Sequence, residues 1–96
     1  MSASLSTHVL DTAAGAPAVG VAVELFLGNK LLAEATTDTD GRARLAEGLE
    51  PGGYRLVFHP RSPFFRRVEF EIELDEGHYH VPLIVSPYSC ASYRGS

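Results

Sequence analysis

Two short stretches hold the residues with the most chemical capacity, "LSTHVL" (Leu5 to Leu10) and "HYHVPLIV" (His78 to Val85). In a strand, successive side chains point to opposite faces. If Tyr79, Val81, Leu83 and Val85 face a core, then His78, His80, Pro82 and Ile84 share the outer face; by the same test Ser6, His8 and Leu10 share theirs. Both outer faces set histidine beside an apolar residue, a pattern explained by a second subunit that covers the patch. Imidazoles in such an interface are partly desolvated and titrate close enough to neutrality for acid–base work.

Fixed positive charge comes from seven arginines and one lysine, scattered along the chain. Arg42 stands out because it follows the tight turn Asp40-Gly41, whose rigid backbone can aim a guanidinium, and Arg94 because Gly95 lets the chain bend beside it. Histidines, aimed arginines and Tyr93 form a set that could bind and hydrolyse a small anionic carbonyl compound. Spacing alone leaves that open. His78-Tyr79-His80 offers two metal ligands on one strand face, but no Cys pair or second His-x-His supplies a third and fourth. Asp38-Thr39-Asp40-Gly41 has the start of a calcium loop but carries Leu49 at the twelfth position where glutamate is needed, so it reads as a turn. Cys90 has no arrangement that would activate a thiolate, and Ser92 and Ser96 lie outside any Gly-x-Ser-x-Gly context.

The elements that must position these residues read as strands. Val19, Val21, Val23, Leu25 and Leu27 alternate with other residues, and Gly28-Asn29 supplies a hairpin turn into Leu31 to Thr37. Val68, Phe70, Ile72 and Leu74 alternate with Glu69, Glu71 and Glu73, giving one apolar and one acidic face. Further strands are expected over Leu5 to Leu10, Arg42 to Leu45, Gly53 to Phe58, His78 to Val85 and Ser89 to Tyr93, each bounded by Gly, Pro, Asp or Ser. No run of ten residues has helical periodicity free of Gly and Pro. The expectation is one all-β domain over residues 1–96, a β-sandwich of seven to eight strands.

Composition narrows the function. A net charge of −4 argues against a nucleic-acid partner, which requires a basic surface. One cysteine precludes an intrachain disulfide, no stretch can span a membrane, and the N-terminus lacks a signal's basic and apolar regions, so a cytoplasmic protein is expected. At 96 residues the stability of a lone domain is modest, and oligomerisation is plausible from size.

The same residues carry a resemblance. "LSTHVLDTAAGAPAVGVAVEL", "TDTDGRARL", "GGYRLVFH", "HYHVPLIVSPYS" and the closing "YRGS" resemble the transthyretin-like 5-hydroxyisourate hydrolases of urate breakdown. The central segments also resemble generic transthyretin-like modules that are structural, but those lack the combination of Thr-His-Val, His-Tyr-His-Val-Pro and the closing tetrapeptide. The resemblance implies the transthyretin-like sandwich, a homotetramer with sites at the interface between dimers, and no metal or organic cofactor. It implies His8 and His80 as catalytic residues, and Arg42, Tyr93, Arg94, Gly95 and Ser96 as substrate-binding residues. It further implies hydrolysis of the N1–C6 amide of 5-hydroxyisourate to 2-oxo-4-hydroxy-4-carboxy-5-ureidoimidazoline. A non-catalytic transthyretin-like ligand-binding protein is the alternative. The family's short helix after the Tyr-Arg-Leu-Val-Phe strand is expected to be missing, because His59 to Arg67 is too short and contains Pro60 and Pro63. Cys90 stands where an aromatic residue often occurs, and His78 is expected beside the site rather than in it.

Overall fold

Alternating apolar positions recur along this chain at the strand period, and most of the strands turn one face to the core. The computed structural model describes residues 1–95. Ten strands occur among them: β1 (Ala3–Asp11), β2 (Ala16–Pro17), β3 (Ala22–Leu27), β4 (Lys30–Thr36), β5 (Arg42–Leu49), β6 (Gly52–His59), β7 (Val68–Leu74), β8 (Gly77–His80), β9 (Leu83–Ser86) and β10 (Ser89–Ser92). No helix occurs among the described residues, and Pro60 to Arg67 forms an irregular connection, as the two prolines require.

One sheet runs β4-β3-β6-β7, all antiparallel. Its inner residues Val23, Leu25, Leu56 and Phe58 are fully buried, while Glu69, Glu71 and Glu73 of β7 face solvent as their alternation predicts. The other sheet is built around β1. One edge of β1 carries β5 and then β2, both antiparallel, and the other carries β8 and β9, both parallel, with β10 beyond β9. Leu5, Val9, Leu83 and Val85 close the core from this side. Parallel neighbours need a long connection, here the whole chain between β1 and β8.

The expected strand over His78 to Val85 is in fact two. The register to β1 is continuous, with Ser6 opposite His80 and Val9 opposite Leu83, but Val81 and Pro82 between them lie outside both strands. Proline has no N–H to give the ladder. Buried Thr7 bridges the break, its hydroxyl donating to the Val81 carbonyl at 2.6 Å while the Val81 amide donates to the Ser6 carbonyl. Pro82 also departs from the exposed outer position expected of it. It is buried where the end of β10 and the segment after it fold back: Ser92 Oγ donates to the Pro82 carbonyl at 2.7 Å and Gly95 bridges to His80.

Candidate active site

Arg42 is aimed by the turn before it. The Asp38 carboxylate accepts hydrogen bonds from the Asp40 and Arg42 amides at 2.9 and 3.0 Å, and the Asp38 and Arg42 backbones also bond to each other. These bonds, first of all the one from the Arg42 amide, hold the Asp38 carboxyl below its usual range. Gly41 is buried at φ +74°, and its carbonyl accepts from the Val9 amide at 2.7 Å. A side chain has no room there: a Cβ would lie 2.6 Å from the Val9 carbonyl oxygen and 2.9 Å from Pro17 Cβ.

From that turn β5 runs antiparallel to β1, placing Arg42 opposite His8 and Arg44 opposite Ser6. A register shift between Leu5 and Ser6 brings this about. Bulges of that kind re-aim side chains near functional sites. On the other edge of β1, Ser6 lies opposite His80 and Ser4 opposite His78. Arg42, His8 and His80 are thereby gathered on one outer face from three adjacent strands. Ser6, Thr7, Asp38, Arg42, Arg44 and His80 line an open recess of about 370 Å³.

The ring nitrogens differ in their surroundings. His8 Nε2 is buried and has no hydrogen-bond partner among the described residues. Buried polar atoms are nearly always paired, so one left over beside charged neighbours marks a place where a ligand's polar group would be satisfied. His80 Nδ1 lies 3.0 Å from Ser6 Oγ. Desolvation, then the positive charge of Arg42, with His8 and His78 adding to it, lower the His80 pKa below that of free imidazole. His80 is therefore neutral at neutral pH and has a lone pair to use as a base.

The closing residues divide. Gly95 reaches His80: its amide donates to the His80 carbonyl at 2.6 Å, and a Cβ on Gly95 would stand 2.8 Å from His80 Cδ2. Arg94 stacks instead on Tyr79, its guanidinium carbon 4.1 Å from the ring centroid, on the opposite side of β8 from His80. Tyr93, 57 % exposed, lines with Arg94 a separate recess of about 320 Å³ that includes Phe70, Ile72 and Leu74. The structure brings His8, Arg42, His80 and the Gly95 backbone together; it does not bring the Tyr93 and Arg94 side chains to that cluster. Ser96 lies outside the described residues.

Two residues with a clear place in this site escaped the sequence reading. Ser6 bonds to both His80 and His78, and Asp38 holds the Arg42 turn. Ser6 was visible only as a small polar residue two before His8, whereas Asp38 was read as the start of a turn but not as the residue that holds Arg42. Among the described residues no three His, Cys, Asp or Glu side chains converge as metal ligands. His78, the other half of the possible metal pair, has both ring nitrogens within hydrogen-bond distance of serine hydroxyls.

Residues 5–95 match the family model described as the HIUase/Transthyretin family. The chain belongs to the HIUase/Transthyretin family. It is 44 % identical over 112 aligned positions to the 5-hydroxyisourate hydrolase of Caulobacter vibrioides, covering 96 % of this chain and 97 % of the relative. The alignment is longer than this chain's 96 residues, so the relative carries insertions that this family member lacks. Among solved structures, Klebsiella pneumoniae 5-hydroxyisourate hydrolase superposes with a TM-score of 0.89 at 33 % identity, over 98 % of this chain and 99 % of that one. Sea bream transthyretin in complex with thyroxine superposes with a TM-score of 0.85 at 25 % identity, over 95 % and 93 %. The transthyretin-like fold implied by the resemblance is thus the fold observed.

Proposed function

We propose that the protein is a 5-hydroxyisourate hydrolase, opening the N1–C6 amide of its substrate with water. The observation that carries this reading is the convergence of His8, Arg42 and His80 on one face of the β1 sheet, each delivered by a different strand. Named relatives at 39 to 44 % identity over nearly the whole chain point the same way.

In this mechanism His80, held neutral, takes a proton from water as the water oxygen bonds to C6. His8, whose Nε2 is unpartnered among the described residues, orients the water or the substrate. Arg42 binds the substrate and stabilises negative charge on the attacked carbonyl oxygen; groups placed for a developing oxyanion contribute most when water is excluded. The proton then passes to N1 as the C6–N1 bond breaks, leaving a carboxyl group and a ureido nitrogen. Every group this chemistry needs is a side chain, so the proposal includes no cofactor. Gly95 flanks His80 and belongs to the proposed substrate-binding set, for which Tyr93, Arg94 and Ser96 are proposed from the family resemblance.

A homotetramer with the sites where dimers meet is part of the proposal. Leu10 and Ile84 lie opposite each other on the histidine-bearing face, partly exposed, and a covering subunit would bury them. So is a cytoplasmic setting, resting on the single unpaired Cys90. Among the described residues no helix is long and apolar enough to cross a membrane.

The likeness to a transthyretin solved with thyroxine favours one other reading, a ligand carrier without turnover. Freshly generated 5-hydroxyisourate separates the two. A hydrolase accelerates its decay and loses that activity in His80→Ala. A carrier gains thermal stability with a ligand and leaves the decay at its spontaneous rate.

A further inference from the structure

His78 was expected beside the site, and its hydrogen bonds give it a task there. Ser4 Oγ lies 2.7 Å from His78 Nδ1, Ser6 Oγ lies 2.8 Å from His78 Nε2, and the same Ser6 Oγ lies 3.0 Å from His80 Nδ1. Four side chains on two parallel neighbouring strands form one unbroken chain of hydrogen bonds that ends on the proposed base. Strand alternation makes it possible, since Ser4 and Ser6 of β1 fall opposite His78 and His80 of β8 on the same face. We propose that Ser6 and His78 are positioning residues for His80, holding its proton on Nδ1 so that Nε2 is the free base, and taking over the positive charge once Nε2 is protonated. The catalytic half of this inference rests on the hydrolase reading above.

In the proposed arrangement the hydrogen bonds run from His80 through Ser6 and His78 to Ser4. A serine hydroxyl has one proton to give. If Ser6 gives it to His78 Nε2, its oxygen accepts the His80 Nδ1 proton, and His78 Nδ1 donates to Ser4 Oγ. His80 Nε2 then keeps a bare lone pair. When Nε2 takes a proton from water, the Nδ1 proton can move to Ser6 Oγ as the Ser6 proton moves to His78 Nε2. The charge then resides on His78, and the reverse shift returns the proton when N1 leaves. Nothing is consumed, and no bond other than O–H and N–H changes along the chain.

Solvation favours that transfer. His80 is partly buried and faces Arg42 and Arg44 of β5, Asp38 of the preceding turn and His8 of β1, with cations in the majority. Arg94 is on the far side of β8, at Tyr79. His78 is exposed, and facing it from β5 are Arg44 and the carboxylate of Glu47, which form an ion pair at 3.4 Å. An imidazolium is better hydrated at the exposed ring than at the partly buried one.

The test combines ring ¹⁵N NMR of His80 in the resting protein with steady-state kinetics on 5-hydroxyisourate. The wild type is expected to hold His80 as the Nδ1–H tautomer, and Ser6→Ala and His78→Ala to shift it toward Nε2–H. His78→Gln, whose side-chain oxygen can still accept from Ser6, should keep the wild-type tautomer but lose the charge transfer. Its kcat should fall about tenfold with KM unchanged, less than the roughly hundredfold or more that loss of the base itself costs, because His80 is still present. Ser6→Ala/His78→Ala should be no slower than either single variant, because both cut the same chain. An Nε2–H tautomer in the wild type, or His78 and Ser6 variants with wild-type kcat, would overturn the proposal. A wild type with the Nδ1–H tautomer but no turnover would count against the hydrolase reading instead and leave the tautomer assignment standing.

Discussion

Gly41→Ala is the substitution whose cost is most directly set by the geometry. Gly41 has a φ of +74°, and a left-handed conformation costs a residue with a Cβ about 1–2 kcal/mol. The new methyl would also lie 2.6 Å from the Val9 carbonyl oxygen and 2.9 Å from Pro17 Cβ, neither of which is a flexible side-chain end. Overpacking of that kind costs about 1–3 kcal/mol more, for a total of about 2–5 kcal/mol. Gly15→Ala is the control, because Gly15 has a similar φ of +66° with nothing within 4 Å of its Cβ position, so it isolates the backbone part. Each kcal/mol shifts the midpoint of a domain this size by roughly 4–8 °C, so Gly41→Ala should melt at least about 4 °C below Gly15→Ala in a calorimetric or circular-dichroism scan. The folded fraction should also lose activity, on the order of tenfold to a hundredfold, because the turn that aims Arg42 is displaced. Equal melting temperatures for the two variants would refute the packing argument.

Two further substitutions probe the site. In Arg42→Met, one of the causes that lower the His80 pKa is gone, so the pKa rises toward 6.5 and the acid limb of kcat/KM moves to higher pH; a pH–rate profile with an unmoved acid limb contradicts this. Because the folded-state pKa of His80 is depressed, its contribution to stability is present above the unfolded value and lost as pH falls through the folded one; Arg42→Met should make that loss smaller and complete at a higher pH. Gly95→Ala puts a methyl against His80 Cδ2, so the closing segment must move off β8; kcat/KM should fall on the order of tenfold or more with the melting temperature nearly unchanged, and wild-type kinetics would show the contact to be idle.

Much of this arrangement was legible in residue order because strand alternation is a local rule. The limits of β7 were read directly from Val68 to Leu74, and the outward placement of His8 and His80 followed from their neighbours. What escaped depends on distant partners. Ser6 earns its place only because His78 and His80, more than seventy residues on, fall opposite β1 in parallel register. The register shift between Leu5 and Ser6 leaves no mark in composition, nor does the two-residue β2, which exists only by pairing with the end of β1. The break at Pro82 had a local signal in the proline itself, outweighed by the unbroken apolar alternation around it. The Tyr93 and Arg94 side chains were expected beside the histidines; Arg94 instead settles on the Tyr79 ring, a tertiary contact that pattern reading does not reach.

We propose that His8, Arg42 and His80 together hydrolyse 5-hydroxyisourate. The most direct measurement of this is the decay of freshly generated 5-hydroxyisourate, followed by ultraviolet absorbance with purified wild-type protein and with His80→Ala at matched concentration. Wild-type decay should run far above the spontaneous rate, with His80→Ala slower by about a hundredfold or more, as expected for loss of a general base. Wild-type decay at the spontaneous rate, or a His80→Ala variant as fast as the wild type, would contradict the proposal.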